Sequence, residues 1–258
     1  MKKYQTGATL ILVLIFLVAM TIIGTLAIRQ SMVSLSIATN SQVQQLLTQN
    51  SDAALYKAEN PSDLAYSLSP AGLFGYINNA KDKNKELVFC FRGDQTQFFS
   101  ISQASLMQWK EGSDELTNNS LGTRGYCDAS ANSGTANWFT SGRKAVLTQV
   151  SVKFPTDTSL DNPFYDRARG SDSQKGQIEE AKRVKIFAVS IMPSLSKAPR
   201  TDINNCLRGR MNQVTVPEDK DSSTLTAEQK IDITACLTRL NVPFTTQVSE
   251  YTITQDFT

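Results

Sequence analysis

The sequence predicts an α+β protein in which one long N-terminal helix packs on a domain built around an antiparallel β-sheet. Three observations carry that prediction. Residues 8–28 contain no charge; as a helix they would extend about 31 Å at about 1.5 Å per residue, the hydrocarbon thickness of a bilayer. From Gln30 to Ser51 there is again no charge, but Ser, Thr, Asn and Gln dominate, and no proline occurs before Pro61. One helix therefore continues from about Ala8 to Glu59. Further on, short segments rich in β-branched and aromatic residues alternate in polarity, and an initial helix followed by strands is an α+β order.

Each element has its own warrant. Residues 8–28, apolar all round, form the membrane-spanning half of the helix. Residues 29–60 form its amphipathic half: Leu35, Ala38, Val43, Leu46, Leu47, Ala54, Leu55 and Ala58 recur at helical spacing. "AENP" ends it, because the residue before a proline is pushed out of the helical region. Residues 61–258 remain for the globular domain. Its first stretch, Pro61 to Gly75, is turn-rich. "ELVFCF" (86–91) and "TQFFSIS" (96–102) read as two strands of a hairpin joined through "RGDQ". "AVLTQVSVKF" (145–154) and "RVKIFAVSIM" (183–192) alternate, and so does a closing strand, "TQVSEYTITQDF" (246–257). The polar residues 155–181 between them read as a loop with a short helix near "QIEEAK". "STLTAEQKIDITACLTRL" reads as a helix, with Thr226 and Gln229 at capping-box spacing. No internal repeat is present.

Composition limits the function. A net charge of +2 gives no basic field for nucleic acid. Histidine is absent, which removes the usual general base and the commonest zinc ligand. Lys2 and Lys3 precede the apolar run, so the positive-inside rule places the N-terminus in the cytoplasm and the domain across the membrane. An ordinary secretory signal has an apolar region of about 7–15 residues and small residues at its cut. This run is longer and meets Arg29 without such a site. A plain single-span anchor fits these facts as well.

The short basic leader "MKKYQTG", the run "ATLILVLIFLVAM" that follows it, and the long helix beyond resemble the class III signal of type IV pilins and type II secretion pseudopilins. The resemblance implies that a membrane prepilin peptidase cuts between Gly7 and Ala8, removes residues 1–7 and methylates Ala8. It also implies a reason for Gly7: a residue without a side chain lets the peptidase approach the backbone. Most pilins carry glutamate as the fifth residue after the cut, and here that position is Leu12. With "TIIGTLAIRQ" and the end formed by Ala53, Ala54, Leu55, Ala58 and Glu59, the first 60 residues look most like PilX-type minor pilins. That likeness implies a subunit that primes pilus assembly and sits at the tip, supporting adhesion, twitching motility or DNA uptake. Its implied partners are other minor and major pilins, the inner-membrane assembly platform and a PilY-type tip adhesin. Its implied location is the bacterial inner membrane, then the fibre. A tip-type minor pseudopilin of a type II secretion system would also lack the glutamate and is the alternative reading. No cofactor is expected.

The cysteines are Cys90, Cys127, Cys206 and Cys236. Their spacings fit neither a C-x-x-C redox motif nor a zinc ribbon, and an even count on the outer side of a bacterial inner membrane favours disulfides. Three connectivities are open; the shorter loops, Cys90–Cys127 and Cys206–Cys236, close at lower entropic cost. One bridge or none, with buried thiols, is the alternative.

Catalysis has weak support. Ser194 and Lys197 stand at Ser/Lys hydrolase spacing, but between Pro193 and Pro199 and without the companion motifs. A membrane-anchored periplasmic hydrolase is thus the competing class, and no enzyme activity is expected. Glu179 and Glu180 are adjacent and point apart. Glu218, Asp219 and Asp221 form a small acidic cluster. Hard cations bind such groups, and tip pseudopilins bind calcium, but the spacing matches no defined loop, so no metal is assigned. "RGD" at 92–94 is read as a hairpin turn.

Overall fold

The computed structural model describes residues 8–60, 64–77, 82, 84–92, 99–130, 145–154, 182–217, 220–221 and 223–253. Helix α1 (Ala8–Ala58) is continuous over 51 residues, and the short helix α2 (Leu64–Leu68) follows it. By contacts the chain divides into two units, up to Gln45 and from Leu46 onward.

In the first unit every side chain from Thr9 to Gln42 is exposed. In the second, the last turns of α1 bury one stripe: Leu47, Asn50, Ser51, Ala54, Leu55 and Ala58, spaced three and four apart as one helix face requires. Leu35 and Leu46, assigned to the amphipathic stripe from sequence, are exposed. Burial of the helix begins at Leu47 rather than near residue 29.

The domain is an α+β fold around a six-stranded sheet in the order β3-β2-β1-β4-β5-β6. The strands are β1 (Glu86–Phe91), β2 (Ser105–Trp109), β3 (Leu116–Thr117), β4 (Leu147–Lys153), β5 (Lys182–Ile191) and β6 (Phe244–Ile253). Every neighbouring pair is antiparallel. One face carries Leu87, Phe89 and Phe91 of β1, Val150 and Val152 of β4, and Val184, Ile186 and Ala188 of β5. These pack against Ala54, Leu55 and Ala58 of α1 and against the turn residues Leu73, Phe74 and Ile77. Ser51 donates to Ser190 at 2.8 Å across that contact. Gln247 and Tyr251 of β6 reach Asp52 of the helix and Glu59 just past its end. Burial, with Glu59 as hydrogen-bond partner, pushes the Tyr251 phenol up to about 12.

The opposite face is covered too, which the expected one-helix arrangement did not include. Cys90, Leu147, Val189 and Ile191 pack against Ile203 and Leu207 of α3 (Arg200–Gly209) and Ile233 and Leu237 of α4 (Ile233–Arg239). Every residue of β1 and β4 is consequently buried. Beside this layer the segment around Met211 covers Val88, Met107, Trp109 and Tyr126. Here Gly125 approaches so closely that a Cβ would stand 2.2 Å from the Val88 carbonyl and 2.3 Å from the Ser105 nitrogen, so only glycine fits.

Two sequence assignments are corrected. The described part of 96–102 is not a strand: Ile101–Gln103 forms a 3-10 turn, and β1 pairs instead with β2, Leu87 opposite Leu106. Phe99, which gave that stretch its strand-like look, packs edge-on against Phe89, with ring centroids 5.6 Å apart. The helix predicted from "STLTAEQK" starts later. Thr226 and Gln229 do exchange reciprocal hydrogen bonds, but they close an isolated turn. The true cap is Asp232, whose carboxylate accepts from Ala235 N–H at 2.7 Å. The predicted loop at 155–181, with Glu179 and Glu180, lies outside the described residues.

Cys90 is bonded to Cys127, and Cys206 to Cys236. The second bridge ties α3 to α4 across a separation of 30 residues. In the chain-entropy account a loop of that size is worth about 3–4 kcal/mol. Cys206→Ser should therefore lower the melting temperature of the detergent-solubilised full chain by roughly 10 °C. A melting curve unchanged by the substitution would show that the bridge does not constrain the unfolded chain.

Candidate functional site

Gly7 lies outside the described residues, and Ala8 is the first residue of α1. Leu12 is 58% exposed, among the similarly exposed Ile11, Ile15 and Phe16, and adds one more apolar group to an uninterrupted apolar surface. Mean hydropathy reaches 2.9 in this helix, which is long and apolar enough to cross a membrane by length and composition. Two hydroxyls within the apolar run are satisfied by the helix itself: Thr21 and Thr25 donate to the carbonyls of Val18 and Ile22 at 2.7 and 2.9 Å. Hydroxyls satisfied within the helix are compatible with lipid.

The domain holds a buried polar centre that sequence reasoning missed. Glu86 on β1 and Lys153 on β4 are both sealed from solvent and stand 3.9 Å apart. Glu86 accepts from the backbone N–H groups of Asn212 and Gln213, each at 3.0 Å. Lys153 donates to Gln213 O at 2.7 Å and Thr215 Oγ1 at 2.6 Å. Asn212 donates to Ser151 Oγ at 2.7 Å, and Trp109 Nε1 to Thr215 O at 2.7 Å. Residues 212–215, which form no regular element, are thus fixed to the sheet by side chains that satisfy their backbone groups. Burial pulls the Lys153 ammonium down to about 8, against the opposing pull of Glu86. Burial, with the Glu86 charge beside it, raises the Tyr126 phenol.

A second knot anchors α3. Asn204 donates to Asp128 at 2.7 Å and accepts from Ala129 N–H at 2.7 Å, and Arg208 pairs with Asp128 at 2.9 Å. Partial burial works to raise the Asp128 pKa, but the Ser130 N–H, Asn204 and Arg208 outweigh it and hold the carboxyl below its usual range. A cleft of about 340 Å³ lies between β2–β3 and α3, lined by Trp109, Asp114, Glu115, Asn205, Arg210 and Gln229. Two of its charges meet partners nearby: Asp114 lies 3.8 Å from Lys220, and Arg210 pairs with Glu228.

The remaining candidates are not brought together. Ser194 sits exposed on a 3-10 turn and Lys197 is exposed beyond it. Asp221 is exposed and caps its own turn by accepting from Ser223 N–H at 2.8 Å, which lowers its pKa. Asp219 lies outside the described residues. Among the described residues no three Asp, Glu, Cys or His side chains gather as a metal site.

These features define an α+β protein with two disulfides and an N-terminal helix long and apolar enough for single-pass anchoring. Comparisons with known protein families, with curated proteins and with solved structures found no match.

Proposed function

We propose that this chain is a minor pilin of the PilX type, an assembly subunit that primes a type IV pilus and stays at its tip. The observation that carries the reading is Gly7 standing directly before a helix of 51 residues that has no charge over its first 21 residues and whose last turns belong to the core of an antiparallel-sheet domain. The leader is the peptidase's substrate; the apolar half holds the subunit in the inner membrane and then meets neighbouring pilin helices in the fibre. The domain faces the periplasm before assembly and the cell exterior afterwards. The chain acts by assembly, through its helix and its domain surface. Its partners are the other pilins, the prepilin peptidase, the assembly platform and a PilY-type adhesin.

Leu12 supports a place at the tip. A carboxylate in the membrane is costly by several kcal/mol unless paired, so a subunit with none above it is better served by leucine. Its Ala8 amine remains available to the glutamate of the subunit below. The same substitution favours a second reading, the tip of a secretion pseudopilus. Two measurements test the proposal. Intact mass of membrane-extracted protein should show a chain starting at a methylated Ala8; a start at Met1 or near Arg29 overturns it. Gold labelling of isolated pili should mark one end; label along the whole shaft overturns the tip position, and its confinement to secretion machinery selects the second reading.

A further inference from the structure

The buried centre under residues 212–215 holds more than an ion pair. An amine (Lys153), a carboxyl (Glu86) and a carboxamide (Asn212) meet out of solvent. Nζ lies 3.9 Å from Glu86 Oε1, and Asn212 Nδ2 lies 3.5 Å from Oε2 of the same carboxyl. Val88, Met107, Tyr126 and Met211 form the neighbouring apolar cluster. Asn212 Oδ1 is buried without a hydrogen-bond partner, and this is the oxygen on which charge collects when a nucleophile adds to the amide carbon.

We propose that Lys153 and Asn212 react to form an intramolecular isopeptide bond, with Glu86 as the proton shuttle. Glu86 first takes a proton from the Lys153 ammonium, leaving a neutral amine beside a neutral acid, the pairing that a low-dielectric site tolerates best. Burial already draws the lysine down to about 8. The Nζ lone pair adds to Asn212 Cγ, and the acid proton goes to Oδ1, which has no competing donor. Collapse of the adduct breaks the Cγ–Nδ2 bond and expels ammonia, which leaves with the surplus proton as ammonium, and Glu86 returns to its carboxylate. One amide is made and one broken, with no oxidant or cofactor. Nζ has to release Gln213 O and Thr215 Oγ1, both on the segment that carries Asn212, so the movement is confined to one short stretch. The bond would join β4 to that segment by a link that reductant cannot open, unlike the two disulfides.

The test is the mass of the purified full chain, reduced and denatured, followed by a peptide map. The expected result is a chain lighter by one ammonia than its own termini and any N-terminal methyl group account for, with a branched peptide joining Lys153 to Asn212. Glu86→Gln, which keeps an acceptor for a backbone N–H, should restore the full mass, and so should Lys153→Met. A wild-type chain of full mass, with Lys153 and Asn212 recovered in separate unmodified peptides, overturns the proposal. So does an ammonia loss that persists in Lys153→Met, because that loss comes from cyclisation of Asn212 onto its own backbone.

Discussion

Glu86→Ala should be the most damaging single change inside the domain, with a loss of about 3–5 kcal/mol, the usual cost of stripping one partner from a buried charged pair. Three groups are left in need at once. Lys153 keeps a charge sealed from solvent, and the N–H groups of Asn212 and Gln213 lose their acceptor. An unsatisfied buried donor costs about 1–3 kcal/mol by itself. Replacing both ends of the pair, as in Glu86→Leu with Lys153→Met, should recover part of the loss because no charge then stays buried. Hydrogen exchange on the full chain in detergent checks this: protection should collapse first at 212–215 and β1. Equal protection in Glu86→Ala and wild type would mean that the carboxylate contributes nothing.

A Gly7→Trp chain should keep its leader almost entirely, an all-or-none effect rather than a graded one. Under the pilin reading the peptidase must approach the backbone at the cut, and an indole fills the space that glycine leaves open. The uncut chain would stay membrane-bound and unmethylated, and the pilus count per cell should fall toward that of a deletion strain, with the surviving fibres of ordinary length. Immunoblot shift and electron-microscope counts read both effects. Full-rate cutting of the variant would sink the class III assignment while leaving the fold untouched.

The proposed leader and the domain differ in how they are read from sequence. The roles given to Gly7, Ala8 and Leu12 are what the resemblance to class III signals implies, because a protease signal is a linear string that is read without the fold. Strand β1 follows from its strand-forming composition, β4, β5 and β6 from alternation, and α1 from its two charge-free runs and its stop at Pro61. Helix α3 escaped because its sequence, RTDINNCLRG, is polar except at a few positions, and its amphipathic stripe spans under three turns. Strand β2 escaped because SLMQW has little β-branched content, and the aromatic "TQFFSIS" nearby drew the assignment. Lys153 reads as a solvent-facing residue in an alternating strand, and becomes a core residue only because a segment some 60 residues later lies over it. Contacts of that range leave no local periodicity.

The two bridges have a consequence for how the chain is made. Each cysteine is joined to the next one along the sequence, Cys90 to Cys127 and Cys206 to Cys236, with no crossing between the pairs. A polypeptide delivered N-terminus first therefore presents Cys90 and Cys206 each with its native partner as the very next thiol to arrive. A simple oxidase acting on arrivals in order would make both correct links, and no disulfide isomerase would be needed to undo a wrong one.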